Sequence, residues 1–198
     1  MKIRLTTLLA ITSLLWGNVL AQKADKNSIF NGKDLSGWVE PDNNIWWTVK
    51  DGLLTVENGP NRKGSILWTE GKYRDFIVKA DFKMGKGVVD SGIFLKGESP
   101  QVQIGISGSL KRDMTGSPYI PGKGYPKEAE GVSDLLKLQD WNTMKVKSKG
   151  STIMVWLNGK KVLKYTVEKM PEEGPIGLQL HPNNEMSISF RNISAKEI

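Results

Sequence analysis

The stretch DFIVKADFKM, residues 75–84, alternates between apolar and polar side chains along most of its length. One parity holds Phe76, Val78, Ala80, Phe82 and Met84, and the other holds Ile77, Lys79, Asp81 and Lys83. Successive side chains of a β-strand point to opposite faces, so this pattern predicts a strand with one face on a hydrophobic core. Such a face needs a second sheet to cover it.

Similar runs follow one another at short intervals before and after this strand. They cover residues 45–49, 53–57, 65–69, 91–96, 102–106, 143–148, 152–157, 162–167, 176–180 and 186–190. Two dipeptides between such runs, Asp51-Gly52 and Asn158-Gly159, tolerate the positive φ of tight turns and predict β-hairpins. Short strands, hairpins and the lack of a long helical period predict an all-β sandwich or barrel rather than an α/β fold.

Two segments depart from this pattern. Residues 107–126 are rich in Gly and Pro, which predicts a long connection that either covers something or is disordered. Residues 127–138 carry Leu135, Leu136 and Leu138 near their end and are the one candidate for a short helix.

The N-terminal residues have the features of an export signal. Lys2 and Arg4 precede a mostly apolar run, and Val19-Leu20-Ala21 fits a small-residue cleavage site. We expect residues 1–21 to be a signal peptide and residues 22–198 a single β-sandwich domain, exported to the periplasm or outside the cell. A retained membrane anchor is the competing interpretation, but the run contains Thr and Ser and is shorter than the ~20 apolar residues of a spanning helix.

Composition narrows the possible chemistry. The chain has no cysteine, which excludes disulfides, zinc–thiolate sites and cysteine nucleophiles. Its formal net charge is +7, but the lysines alternate with apolar residues in strand-like runs, as is typical of a solvated sheet face. A nucleic-acid surface more often shows clustered Arg and Lys interleaved with aromatic residues, so we expect no nucleic-acid partner.

Polar residues on three of the predicted strands lie on the face away from the apolar partners. They are Gln101 and Gln103, then Gln179 and His181, then Asp90 and Lys96 together with Phe94. If these faces are adjacent, they form one polar groove. The alternative is that each residue is a solvent-facing residue of an outer sheet.

His181 is the only histidine, and imidazole is the side chain best suited to proton transfer near neutral pH. A strand-end residue without a task and a member of a Ser-His-Asp triad are open alternatives. A multi-histidine metal site is excluded, whereas carboxylates and carbonyls could hold calcium, and no cofactor is evident. Most of the 7 tryptophans are expected in packing roles, and Tyr119 and Tyr125 in the Gly/Pro-rich connection are predicted to touch a ligand.

Several blocks, in order from Phe30 to the C-terminus, resemble the 3-keto-disaccharide hydrolase family. They are FNGKDLSGW at 30–38, SGIFLKG at 91–97, VQI at 102–104, WN at 141–142, LNGK at 157–160, GPIGLQLH at 174–181 and RNI at 191–193. The resemblance implies a concanavalin A-like, two-sheet antiparallel jelly-roll sandwich, export, and an enzyme acting on 3-keto-glycosides.

The resemblance also implies a mechanism. A ketone at C3 acidifies the C2 proton, so a base can remove that proton and expel the group at C1, after which water can add. His181 and Gln179 match the family's Gln-x-His, Gln103 matches its amide, and Lys96 stands where Arg or Lys is usual. Gln101 departs from the pattern, because many members have glutamate there and an amide cannot take up a proton near neutral pH.

We therefore predict a glycoside-cleaving enzyme in which His181 transfers protons together with Asp90 or Glu98. The predicted substrate-binding residues are Lys96, Gln101, Gln103, Gln179, Tyr119 and Tyr125. One alternative is a non-catalytic carbohydrate-binding domain, which the amide at position 101 favours. Another is an exported structural or adhesive domain without sugar specificity. The sequence predicts neither the sugar and its linkage, nor a metal requirement, nor the oligomeric state.

Overall fold

The structure is a computed structural model that describes residues 25–198, so the predicted signal peptide lies outside the described residues. In chain order the strands are β1 (Trp38–Val39), β2 (Trp47–Lys50), β3 (Leu53–Glu57), β4 (Ser65–Thr69), β5 (Phe76–Gly87), β6 (Asp90–Leu95), β7 (Gln101–Gly105), β8 (Pro118–Tyr119), β9 (Asn142–Lys149), β10 (Thr152–Leu157), β11 (Lys160–Thr166), β12 (Ile176–Leu180) and β13 (Met186–Glu197). A short 3-10 turn at Pro60–Arg62 is the one helical segment within the described range.

The strands form two antiparallel sheets. The 6-stranded sheet has the order β1-β4-β12-β6-β7-β8, and the 7-stranded sheet has the order β11-β10-β9-β5-β13-β3-β2. The predicted all-β, two-sheet antiparallel jelly-roll sandwich is confirmed. No helix in the described part of the chain is long and apolar enough to cross a membrane.

The core fills the space between the sheets and is built from alternate residues of each strand. Phe76 and Phe82 of β5 and Phe190 of β13 are among the largest fully buried side chains. Burial of one such ring stabilises the fold by about 1.5–3 kcal/mol. Lys79, on the opposite parity of β5, is exposed, as the alternation in residues 75–84 predicts.

Both predicted hairpins are confirmed. Asp51 and Gly52 have φ of 52° and 76°, and Asn158 and Gly159 have φ of 48° and 86°. Two consecutive residues with positive φ make the turn whose twist matches that of the flanking strands. The first dipeptide joins β2 to β3, and the second joins β10 to β11.

The predicted helix over residues 127–138 is wrong, because this segment is a loop. Gly131 has a φ of 67°, a left-handed conformation that interrupts a right-handed helix. Asn142 holds the end of the loop: its Nδ2 donates to the carbonyl of Lys137 at 2.8 Å and its Oδ1 accepts from the Lys137 N–H at 2.8 Å. The side chain of the first residue of β9 thus satisfies backbone groups that a helix would pair internally.

The cross-strand register positions polar side chains on the outer face of the 6-stranded sheet. Gln179 of β12, Gly92 of β6 and Gln103 of β7 lie side by side in one row. Phe94 and Gln101 lie in the next row, and their inward neighbours on β6 and β7 are fully buried in the core. The predicted long connection, which contains β8, pairs with β7 and lies beside these rows.

Candidate functional site

A pocket of about 370 Å³ opens on the outer face of the 6-stranded sheet. From the strands and their ends it is lined by Asp90, Gln101, Gln103, Gln179 and His181. From the connection between β7 and β9 it is lined by Ser107, Gly108, Ser109, Tyr119 and Tyr125. Larger hollows of about 540 and 690 Å³ lie elsewhere, but neither contains the histidine.

A buried carboxylate anchors a chain of amides in this pocket. Asp90 is 3% exposed, and it is the only carboxylate in the buried class among the described residues. Its Oδ1 accepts from Gln103 Nε2 at 2.7 Å, and its Oδ2 accepts from the Gly108 N–H at 2.8 Å. Gln101 Nε2 then donates to Gln103 Oε1 at 3.4 Å and to Gln179 Oε1 at 2.7 Å.

The chemistry of these partners fixes the orientation of all the amides. An ionised carboxylate only accepts hydrogen bonds, so Gln103 must turn its NH₂ group to Asp90 and its oxygen to Gln101. The backbone carbonyl of Ser91 also only accepts, and Gln101 Nε2 lies 3.2 Å from it. Gln101 therefore presents its NH₂ group to Gln179, which accepts with its oxygen. The NH₂ group of Gln179 is left as a donor, since it forms no hydrogen bond with any residue of the described range.

Gly92 makes room for the Gln101 side chain. A Cβ atom at Gly92 would lie 2.1 Å from Gln101 Nε2 and 2.7 Å from its Cδ. These distances are far inside van der Waals contact, so the amide rests directly on the backbone of β6. The missing side chain at position 92 is part of the site, and nothing in the local sequence pattern marks it.

The hydrogen bond of His181 selects one neutral tautomer. Its Nδ1 lies 2.8 Å from the carbonyl oxygen of Pro182, which can only accept, so Nδ1 carries the proton. The lone pair is then on Nε2, and no described residue forms a hydrogen bond with that atom. Nδ1 also lies 3.7 Å from Asp90 Oδ2, and the side chain of His181 is 37% exposed. The imidazole is thus an accessible base next to a fixed negative charge.

Two tyrosines from the connection complete the pocket wall. Their ring centroids are 5.3 Å apart and their planes are tilted by 59°. Burial raises the pKa of Tyr125, and the nearby charge of Asp90 raises it further, while a hydrogen bond with Ser107 lowers it. Tyr125 is therefore a protonated phenol at neutral pH and can donate a hydrogen bond.

The structure brings together most, but not all, of the predicted site residues. Asp90, Gln101, Gln103, Gln179, His181, Tyr119 and Tyr125 line the pocket. Lys96 and Glu98 do not, so the expectation that they share this groove is corrected. Ser107, Gly108 and Ser109 were missed, although the Ser-Gly-Ser sequence directly after β7 is a signal for exposed backbone N–H groups.

Lys96 lies elsewhere because strand parity ends before it. β6 ends at Leu95, and Lys96 has a φ of 63°, which turns the chain out of the strand. Its side chain is 1% exposed, with Nζ 3.9 Å from Asp75 Oδ1. Burial lowers the pKa of Lys96, although the Asp75 carboxylate partly opposes the shift. Glu98 is exposed and lines a different hollow, beside Glu168 and Lys169.

The described side chains offer few clustered ligands for a metal ion. Within residues 25–198 there is no group of three or more His, Asp or Glu side chains placed to hold a metal ion. The pocket itself offers one carboxylate, whose oxygens both accept hydrogen bonds from the protein, and one imidazole.

A family model described as the 3-keto-alpha-glucoside-1,2-lyase-like domain matches residues 25–196. The chain belongs to this family. The family is a carbohydrate-related one, and the resemblance found in the sequence blocks is confirmed. No curated protein matches the chain.

Solved structures of similar fold include other carbohydrate-related proteins. A "putative glycosyl hydrolase" from Parabacteroides distasonis ATCC 8503 is 26% identical with a TM-score of 0.64, and the match covers 86% of this chain and 82% of that one. A second protein of that description and organism is 19% identical with a TM-score of 0.62 and coverage of 86% and 92%. The carbohydrate binding module CBM66 from Bacillus subtilis is 13% identical, with a TM-score of 0.56 and coverage of 81% and 96%. The last two matches are evidence for the fold of this 3-keto-alpha-glucoside-1,2-lyase-like domain and for no more.

Proposed function

We propose that the protein cleaves 3-keto-glycosides, sugars that carry a ketone at C3, by removing the C2 proton and expelling the group at C1. One observation carries the proposal. A single pocket holds an imidazole whose Nε2 has a lone pair and, within the same walls, the Gln179 amide, whose orientation is fixed, and the phenol of Tyr125. Elimination next to a ketone needs this combination of a base and oxyanion donors.

The reaction divides into proton removal and departure of the leaving group. His181 Nε2 takes the C2 proton, and the electron pair of the C2–H bond moves into the C2–C3 bond as negative charge develops on the ketone oxygen. When that charge returns, a C1–C2 double bond forms and the bond from C1 to the glycosidic oxygen breaks with its electron pair. The departing oxygen takes a proton from the imidazolium or from water. Addition of water across the double bond then completes a hydrolysis.

The other pocket residues stabilise the charges of these steps. Gln179 Nε2 and the Tyr125 hydroxyl are donors for the ketone oxygen, where a preorganised hydrogen bond is worth most. Asp90 stabilises the imidazolium that forms on His181, because its Oδ2 lies 3.7 Å from Nδ1. Gln101 serves as the link that orients Gln179, and not as a base. This assignment leaves Lys96 and Glu98 without a catalytic part.

Turnover of a chromogenic 3-keto-glucoside tests the proposal. We expect the wild-type protein to release the leaving group, His181→Ala to lose at least about 100-fold in kcat/KM, as is typical for a general base, and added imidazole to restore part of the loss. The matching glucoside with a hydroxyl at C3 should not react, since its C2 proton is not acidified. Equal turnover of both sugars, or of wild type and His181→Ala, would refute the mechanism.

A non-catalytic carbohydrate-binding domain is the second candidate, and the amide at position 101 favours it. The resemblance implies a glutamate at this position in many family members, whereas here the two hydrogens of Gln101 Nε2 are shared among the Ser91 carbonyl, Gln103 Oε1 and Gln179 Oε1. In that case calorimetry with the 3-keto-glucoside would detect binding to the wild-type protein without release of the leaving group.

A further inference from the structure

The outer face of the 7-stranded sheet, opposite the pocket, is rich in lysine. We call it the lysine face. It is formed by the outward residues of β5, β9, β10, β11 and the end of β13, and its lysines are Lys79, Lys83, Lys145, Lys147, Lys149, Lys161, Lys164 and Lys196. Their direction is settled by their neighbours: Val78 and Ala80 on β5, and Met144 and Val146 on β9, are fully buried.

The register brings these positive charges together. Lys79 lies directly opposite Lys145 across β5 and β9. Met154 of β10 lies between Lys147 and Lys164 on the strands to either side. Like charges directly opposite one another are unfavourable for a sheet.

Few acidic groups lie near the lysine face, and Asp25, close to Ser194 and Lys79, is one of them. Within residues 25–198 none of its lysines forms an ion pair with a carboxylate. Asp81, the carboxylate among the outward residues of β5, is already bonded to Thr143 and Asn192. A surface that only needs to be soluble usually mixes charges of both signs. An accumulation of positive charge on one face therefore indicates a partner of negative charge.

We propose that the lysine face binds an anionic polysaccharide, a chain of sugars that carry carboxylate or sulfate groups. The lysines lie in rows about 4.8 Å apart between strands and about 7 Å apart along a strand, which forms an extended field and not a closed pocket. Trp156 and Met154 lie among them and offer apolar contact to the C–H faces of sugar rings. Lys145 Nζ lies 4.0 Å from the centre of the Trp156 ring, so charge and aromatic surface meet at one point.

Other polyanions fit the lysine face less well. Nucleic acids favour the guanidinium group of arginine, and the arginine on this face, Arg191, lies 3.9 Å over the Trp141 ring and next to Asp81. A membrane surface favours apolar side chains that insert between lipids. The most exposed large apolar residues, such as Val88 and Leu138, lie outside β5, β9, β10 and β11. The proposal does not rest on the catalytic activity, because the pocket is on the other sheet.

Affinity electrophoresis of the full chain in gels that contain polygalacturonate tests this proposal. We expect retardation at about 50 mM salt that is lost near 300 mM, because screening shortens the range of the charges. The triple variant Lys145→Gln, Lys147→Gln, Lys164→Gln should bind at least about tenfold more weakly, while the control Lys63→Gln, Lys72→Gln, Lys111→Gln, with the same change in net charge, should bind like the wild type. Thermal unfolding verifies that each variant is folded.

Three results would overturn it. They are equal retardation in neutral dextran, equal weakening in the control variant, and tighter binding of duplex DNA or of vesicles of phosphatidylserine and phosphatidylcholine than of polygalacturonate. Turnover of the 3-keto-glucoside should be the same in both lysine variants, so a failure here is distinct from a failure of the proposed reaction.

Discussion

Replacement of Asp90 by asparagine tests the idea that one buried carboxylate orients the whole pocket. Both oxygens of Asp90 accept N–H bonds, from Gln103 at 2.7 Å and from Gly108 at 2.8 Å. Asparagine offers one oxygen and one NH₂ group, so one of these donors must face another donor. Leaving one buried donor unsatisfied costs about 1–3 kcal/mol.

The effect should pass along the chain of amides. If Gln103 turns its oxygen to the new NH₂ group, its own NH₂ group faces that of Gln101, and the two donors repel each other. The Gln101 amide then shifts away from Ser91 and Gln179, so Gln179 loses the donor that fixes its orientation. We expect kcat/KM for the 3-keto-glucoside to fall by about 10- to 100-fold, which corresponds to about 1.4–2.7 kcal/mol of transition-state stabilisation.

The assay compares urea unfolding and turnover in Asp90→Asn and in a matched control. Asp81→Asn is that control, because Asp81 also accepts two side-chain bonds, from Thr143 at 2.6 Å and from Asn192 at 2.7 Å, but lies on the other sheet. The control should lose stability and keep its turnover per folded molecule. An Asp90→Asn protein with wild-type stability and wild-type turnover would show that the carboxylate does not orient the amides.

Two further predictions concern Gly92 and Lys96. Gly92→Ala should lower kcat/KM by about tenfold with a smaller effect on the unfolding free energy, because the added Cβ, 2.1 Å from Gln101 Nε2, displaces a flexible side chain; an unchanged kcat/KM would contradict this. Lys96→Met should be more stable than the wild type at pH 7, since burial lowers the pKa of Lys96 below 10.5 and thus penalises the charged form. That advantage should shrink as pH rises through 10.5, because above that value the lysine is neutral in both the folded and the unfolded state. If urea unfolding at pH 7 and above pH 10.5 gave the same difference between the two proteins, the explanation would be excluded.

The sequence predicts the faces of the strands well and their neighbours poorly. The alternation places Gln101 and Gln103 on one face, because Val102 and Ile104 of the opposite parity are apolar. The structure buries Val102 and Ile104 in the core. Alternation reports which side of a sheet a residue faces. It carries no information on which strand lies alongside. The contact of Gln101 with Gln179 follows from the register of β6, β7 and β12, which the sequence pattern does not predict.

The wrong expectations have local causes that alternation does not reveal. Lys96 was assigned to the groove by extending the parity of β6, but its φ of 63° ends the strand one residue earlier. The segment 127–138 was expected to be helical from its leucines, whereas its backbone is held by Asn142, whose role depends on where β9 begins. A single backbone conformation overrides the local pattern in the first case, and the side chain that begins the next strand does so in the second.

The amide at position 101 makes sense once Asp90 is placed. A carboxylate at 101 would face the Ser91 carbonyl, which lies 3.2 Å from the present NH₂ group, and two acceptors at that distance repel each other. It would also require a donor from Gln103, whose NH₂ group is already given to Asp90 at 2.7 Å. With Asp90 ionised, the amide at 101 can donate to the acceptors of Ser91, Gln103 and Gln179, whereas a carboxylate has no hydrogen to donate to any of them. The amide at this position therefore fits a pocket that keeps its negative charge on Asp90, and in the proposed mechanism proton transfer falls to His181.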